Sequence, residues 1–318
     1  MYFLWSFFII LILGLLALDL GVFNKKLHVI EIKEALYWSA FWITLALLFS
    51  IVIYFMYEHH WFSAGIENEF LLSGKQAALQ YITGYLIEKS LSLDNIFVIA
   101  LIFGYFNVPR EYQHRVLFWG ILGAIVLRAA MILAGALLIS NFAWMIYVFG
   151  GFLIFTAIKM LVSSNHKVDP DKNPLVKLAQ RFYPVSKNYD GMHFITIENG
   201  RKHITPLFVA LLVVEGSDVM FAVDSIPAIF AITKDPFIVF TSNIFAILGL
   251  RSLYFALAAM IEKFLYLKYS LVIILAYVGV KMLLSGYYHI PALASLIVIL
   301  FLLAAGILLS ILLKRKIS

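Results

Sequence analysis

Nine stretches of about twenty mainly apolar residues succeed one another along this 318-residue chain, and each is long enough to cross a bilayer as a helix. They run over 2–20, 37–57, 79–106, 115–139, 143–162, 204–232, 238–260, 269–287 and 290–313. Inside a bilayer no water satisfies the backbone, so such stretches must be helical. Composition agrees: 63% of the residues are apolar and 13% charged, against roughly 45–50% and 25% in soluble domains. The expected fold is all-α, a polytopic membrane protein of about nine transmembrane helices. That excludes a soluble enzyme and a disordered chain. The sequence has no cysteine, which also excludes a disulfide scaffold, a Cys-ligated metal centre and thiol chemistry. A formal charge of +6 is expected from Lys and Arg in cytoplasmic loops rather than from a nucleic-acid partner.

The basic residues set the orientation. The loops beginning with 21–36, every second one after it and the C-terminus hold seventeen Lys and Arg, while the opposite loops hold Lys75 and Lys234 alone. The positive-inside rule then puts the N-terminus outside and the C-terminus in the cytoplasm, in keeping with an odd number of spans. The first stretch opens MYFLWSFF, with no basic segment before it and no small-residue cleavage site. It is expected to be a retained span rather than a signal peptide.

The loop over 163–203 is long. Asn173-Pro174 predicts a short helix with Leu175, Leu178, Ala179 and Phe182 on one face, lying flat at the membrane surface. Asn199-Gly200 inside Thr196–Thr205 predicts a small β-hairpin just before the sixth span. It is read first as a cover for the cytoplasmic face.

The chain also repeats itself. Glu88 precedes Asp94-Asn95 by the spacing at which Asp218 precedes Asp224-Ser225; Leu127-Arg128 matches Leu250-Arg251; Ala157–Leu161 (AIKML) matches Gly279–Leu283 (GVKML). Three matches in one order define two repeats of three spans, over 79–162 and 204–287. They are preceded by a two-helix segment, 1–78, separated by the 163–203 loop, and followed by a last span and basic tail, 288–318. Three spans is an odd number, so the copies enter the membrane from opposite sides. Inverted repeats of this kind signal a transporter with its substrate site between the copies.

Eleven ionisable residues fall inside the apolar stretches: Asp19, Glu88, Lys89, Asp94, Arg128, Lys159, Glu215, Asp218, Asp224, Arg251 and Lys281. At about 2.5–3.5 kcal/mol each at a helix centre, unpaired charges would cost on the order of 30 kcal/mol. That exceeds the roughly 5–15 kcal/mol net stability of a folded protein. They must pair, reach the surface or line water. Lys159 and Lys281, near span ends, are expected to snorkel, and Asp19 to face water. Arg128 and Arg251 are expected to neutralise acids, with Lys89 a further charge partner. Residues six apart lie about 240° apart on a straight helix, so Glu88 and Asp94 serve different partners unless the helix is distorted. Gly216-Ser217 and Pro227 are expected to distort the sixth span and free a carbonyl near residue 223. Carboxylates, that carbonyl, and the neutral oxygens of Asn95, Ser225 and Asn243 would make an all-oxygen site for a hard cation such as Mg²⁺, Ca²⁺ or Mn²⁺. The eight histidines lie in loops or at span edges and are not expected to enter it. There is no Walker A motif, so an ion- or proton-coupled process is expected rather than one driven by ATP. No nucleophile–base pair suggests an enzyme, and no cofactor is expected.

Gly84–Asn95 (GYLIEKSLSLDN), Asp218–Ala228 (DVMFAVDSIPA) and Thr241–Arg251 (TSNIFAILGLR) resemble the TerC family, and its Alx-type members in particular. Gly216 stands where similar proteins more often carry Leu. The resemblance implies a bacterial inner-membrane protein of nine spans, associated with manganese efflux, with tellurium-resistance gene clusters and with alkaline conditions. It carries the family's acidic motif onto Glu88, Asp94, Glu215, Asp218 and Asp224. The expected function is export of Mn²⁺ as substrate by alternating access. The alternatives are a membrane partner that delivers metal to secreted proteins, with contacts to the secretion machinery, and a stress-resistance scaffold that transports nothing.

Overall fold

The structure is a computed structural model. It describes residues 2–21, 31–61, 72–142, 144–162, 173–198, 200–257, 267–288 and 290–314, and the side chains of Asp19 and Asp94 lie outside what it describes. Eleven helices and one hairpin follow in the order α1 (Tyr2–Gly21), α2 (Ile32–Glu58), α3 (Gly74–Phe106), α4 (Arg110–Asn141), α5 (Met145–Val162), α6 (Pro174–Phe182), β1 (Ile195–Glu198), β2 (Arg201–Ile204), α7 (Pro206–Phe230), α8 (Pro236–Leu248), α9 (Leu250–Leu257), α10 (Leu267–Leu284) and α11 (Ala292–Lys314).

The helix starts are written locally. Ser73 and Gln76 form a capping box at the start of α3, so two otherwise unpaired N–H groups are satisfied at once. Asn173, Thr205 and Asp235 cap α6, α7 and α8, each followed by proline at the position where a missing N–H costs nothing. Asp235 also accepts a hydrogen bond from the Tyr57 hydroxyl at 2.8 Å, which ties α8 to the end of α2.

Six of the described helical stretches are long and apolar enough to cross a membrane: α2, α4, α5, α7, the α8–α9 pair and Leu293–Ser310 of α11. Shorter apolar helices lie within α1 and α10. Large apolar side chains such as Ile10, Val126, Leu137, Phe155 and Phe301 stand on the outer surface, while Glu88, Arg128 and Asp218 are buried. Polar inside and apolar outside is the arrangement a bilayer selects. The protein is a multi-pass integral membrane protein. At the centre α3 packs on α7 and α8, α4 packs on the same two helices, and α5 packs on α10. Around them α2 covers α3 and α9, and α11 lies against α10 and α3. Phe8 of α1 fastens the N-terminal helix through rings of Phe49, Phe237, Phe240 and Phe245, with centroids 5.6–6.1 Å away.

α7 continues as helix through Gly216, Ser217 and Pro227, and Pro227, which has no N–H, leaves the Val223 carbonyl without its helical partner. The described part of the stretch 238–260 remains one candidate span, Pro236–Leu257, with a single-residue interruption. The interruption is Gly249, between α8 and α9. A Cβ there would stand 2.9 Å from Lys89 Nζ and 3.1 Å from Trp42 Cβ, so only glycine leaves room.

The described part of the long loop holds the short helix and the hairpin expected of it. Its hairpin pairs Ile195 with Ile204 and Glu198 with Arg201 around a two-residue turn, in which Gly200 has φ +73° and Asn199 lies outside the described residues. Val176 is the buried residue of α6, with Ala179 partly packed, while Leu178 and Phe182 are exposed. The loop is anchored by Tyr189, whose hydroxyl donates to the Phe106 carbonyl at 2.8 Å, and by Arg115 over the Phe194 ring at 4.9 Å. Burial holds the Tyr189 phenol above its ordinary range, so it remains a donor.

Candidate functional site

Arg128, 1% exposed, is the hub of the molecule. It projects from α4 into the space between α3, α7 and α8. Its Nη1 pairs with Glu88 Oε1 of α3 and lies 3.3 Å from Asn243 Oδ1 of α8. Its Nε and Nη2 make a two-point contact with Asp218 of α7, at 3.1 and 2.8 Å. Planar guanidinium suits such paired contacts. Two amides complete the shell. Asn243 Nδ2 donates to the second Glu88 oxygen at 3.0 Å, and Asn95 Nδ2 donates to Asp218 Oδ1 at 2.9 Å. Two carboxyl groups therefore face one guanidinium.

The expected site residues are only partly brought together. Glu88, Asn95, Asp218 and Asn243 form one cluster around Arg128. Glu215, one turn before Asp218, leans over Gly123 of α4, and its Oε2 is buried without a partner. Asp224 lies on another side of α7, where Thr156 of α5 donates to it at 3.0 Å; the unbroken helix separates it from Asp218 as six-residue spacing requires. Ser225 Oγ is buried and unpartnered. Among the described residues no three acids or histidines stand close enough to hold a metal ion.

Lys89, Arg251 and Lys281 each donate to a neutral acceptor. Lys89 donates to the Ala246 carbonyl at 3.2 Å, in the last turn of α8, where a cation suits the helix end. Arg251 of α9 donates to His114 Nε2 at 2.9 Å, and that histidine is half-buried. Lys281 does not snorkel: it is 8% exposed and donates to Ser295 of α11 at 2.9 Å. Lys159 is exposed, as expected.

A cavity of about 20 Å³ lies beside the cluster, lined by Asn95, Asp218 and Arg251 together with Ile99, Leu117 and Ile247. That is room for about one water. Asn95 Oδ1, buried and unpartnered, is one of its polar groups.

Thr156, His114 and the cavity wall were not signalled by sequence. Ionisable residues inside apolar stretches were the signal that did find the cluster, with Asn95 and Asn243 named as neutral oxygen donors.

The family described as integral membrane protein TerC matches residues 73–318. An uncharacterized membrane protein of Myxococcus xanthus, STKORF319, is 54% identical over 98% of this chain and 93% of its own length. An uncharacterized membrane protein of Rickettsia bellii is 44% identical over 98% of both chains. A protein of Escherichia coli K12 provisionally named membrane-bound redox modulator Alx is 46% identical over 92% of this chain and 89% of its own. No solved structure matches.

Proposed function

The chain belongs to the TerC family of integral membrane proteins, and from that premise we propose that it is a secondary transporter exporting a divalent cation, Mn²⁺ first, from the cytoplasm. The observation that carries the reading is the Arg128 cluster. Glu88 from one half of the chain and Asp218 from the other meet on one buried guanidinium. Arg128 there stands where a cation would stand. Its withdrawal would leave two carboxylates and two amide oxygens, a donor set that suits a hard cation. Metal and proton compete for carboxylates, so Glu215 and Asp224 are assigned as proton carriers or further ligands, with Asp94 and Ser225 beside them.

The packing supports an inverted repeat: α3 lies on α8 as α7 lies on α4, and α5 lies on α10. Nine spans follow when α3 and the helices α1 and α10 are added to the six apolar stretches; α3 carries Glu88, Lys89 and Asp94, which lower its hydropathy. The basic loops support a bacterial inner-membrane location with the N-terminus outside.

The relatives' name offers redox modulation. A chain without cysteine has no thiol of its own for that role, but an exporter of a redox-active metal alters redox balance indirectly. Tellurium resistance and alkaline response are likewise assigned to altered metal content. Tellurium oxyanions would be repelled by the acids. The rival reading is a scaffold, favoured by the saturation of both Glu88 oxygens by Arg128 and Asn243.

Mn²⁺ flux into proteoliposomes carrying a metal-quenched dye decides between them, with a pH gradient imposed. Wild-type flux that is lost in Asp224→Asn and Glu88→Gln is expected. With folded protein and Ca²⁺ and Mg²⁺ also tried, flux no greater than in empty liposomes would move the assignment to a scaffold or a metal-delivery partner.

A further inference from the structure

One face of α3 changes character at Glu88. Tyr81, Tyr85, Glu88, Ser92, Asn95, Ile99 and Ile102 follow one another at alternating steps of four and three, which keeps them on a single inward stripe. Every member is buried, Tyr81 at 0% and Tyr85 at 3% exposure. On the Asn95 side the stripe becomes apolar, and Ile99 and Ile102 pack into the layer with Phe103, Leu117 and Tyr254. On the other side it is hydroxylic.

Those hydroxyls have no partner. Tyr81 OH and Tyr85 OH are buried without a hydrogen bond, and so is Gln80 Oε1 beside them. Phenylalanine would pack against Phe49 and Phe245 as Tyr81 does and would leave no polar atom stranded. A dry core pays for each such hydroxyl without return. Buried polar groups that the protein leaves unpartnered are the places where water sits.

We propose that the Tyr81–Tyr85 face of α3 lines a hydrated passage from the Gly74 end of the helix to Glu88. Tyr85 is one turn from Glu88 and Tyr81 is two turns away, so waters bridged by the phenols and Gln80 reach the carboxylate in steps of about 6 Å. The apolar stripe beyond Asn95 closes the opposite side. With both phenols buried, the passage is closed in this structure; it is the exit branch of the transport site and admits hydrated ions and protons when the site turns outward. Its purpose rests on the transporter reading, but its existence does not.

Because the chain has no cysteine, an introduced thiol is the only one in the protein. Tyr81→Cys and Tyr85→Cys would be treated in intact cells with a charged, membrane-impermeant methanethiosulfonate, with Ile87→Cys as control. Ile87 is 0% exposed, at the same depth but off the stripe. Modification of both tyrosine positions from outside, at least an order of magnitude faster than at Ile87, is expected. Equal rates, or modification only in inside-out vesicles, would overturn the proposal. Labelling needs no flux, so a failed transport assay leaves this result readable. A second measurement avoids the larger substitution. In a dry core Tyr81→Phe and Tyr85→Phe raise the melting temperature; in a hydrated passage they leave it unchanged or lower it. A rise in both would also overturn the passage.

Discussion

Arg128 and Arg251 hold matching positions in the two halves of the sequence and different positions in the molecule. Arg128 sits in the unbroken α4 and joins Glu88 and Asp218 across the centre. Arg251 opens α9, just past the break at Gly249, and donates to the neutral nitrogen of His114 beside a small cavity. The lysines diverge in the same way: Lys159 is exposed, whereas Lys281 is buried against Ser295. Inverted halves that were truly equivalent would give one symmetric structure with both faces alike. A transporter needs them unlike, because exchanging the two arrangements is what moves the opening from one side to the other. On the proposed transporter reading, the differing surroundings of the two arginines are what one state of such a cycle would show.

The largest expected effect breaks that comparison at its centre. Arg128→Gln leaves Glu88 and Asp218 buried and unpaired, and unfolding in detergent is expected to show a loss of about 3–5 kcal/mol. Arg251→Gln loses a hydrogen bond made by a charged donor, about 1.5–3 kcal/mol. A loss at Arg251 equal to that at Arg128 would mean the halves are energetically equivalent, and the asymmetry would lose its meaning.

Gly249→Ala comes next. The new methyl meets Lys89 Nζ, which can swing away, and Trp42 Cβ, which cannot. A cost of about 1 kcal/mol is expected, at the low end for overpacking. If the break is a hinge, flux falls further than this loss of stability explains, and stability and flux measured on the same preparation separate the two.

Much of this was legible in sequence, and the reasons are specific. Spans follow from apolar length, so nearly every helix was found. The hairpin followed from Asn199-Gly200 and α6 from Asn173-Pro174. Glu88 and Asp218 were found because charge inside an apolar stretch has no bland explanation, and Asn95 and Asn243 were added as neutral oxygen donors. What sequence hid was partnership. Glycine at 249 reads as an ordinary small residue until Lys89 and Trp42 are seen against it. Gly216 and Pro227 look like breaks, yet α7, packed against α3 and α4, stays helical through both. His114 lies at a span edge in the sequence and is half-buried in the structure, where α9 brings Arg251 to it. The stripe on α3 was present in the spacing, but its meaning depended on which hydroxyls lacked partners, a property of three dimensions.

The smallest expected effect tests the lysine pair. Lys281 keeps a buried ammonium on α10, and its hydrogen bond to Ser295 Oγ is shared with Tyr277 OH at 3.2 Å. Replacing a buried charge by a hydrophobe of similar volume is often neutral or stabilising, so Lys281→Met should leave unfolding unchanged or raise it slightly. Lys159→Met, on an exposed side chain, should fall within about 0.5 kcal/mol of wild type. Stability then does not explain why a lysine stands at 281, and the informative readout is flux. A Lys281→Met variant that folds well and transports poorly would put the ammonium in the cycle, where the asymmetry between the halves predicts it. One that folds and transports normally would reduce it to a fastening between α10 and α11, and the comparison between the halves would then rest on the arginines alone.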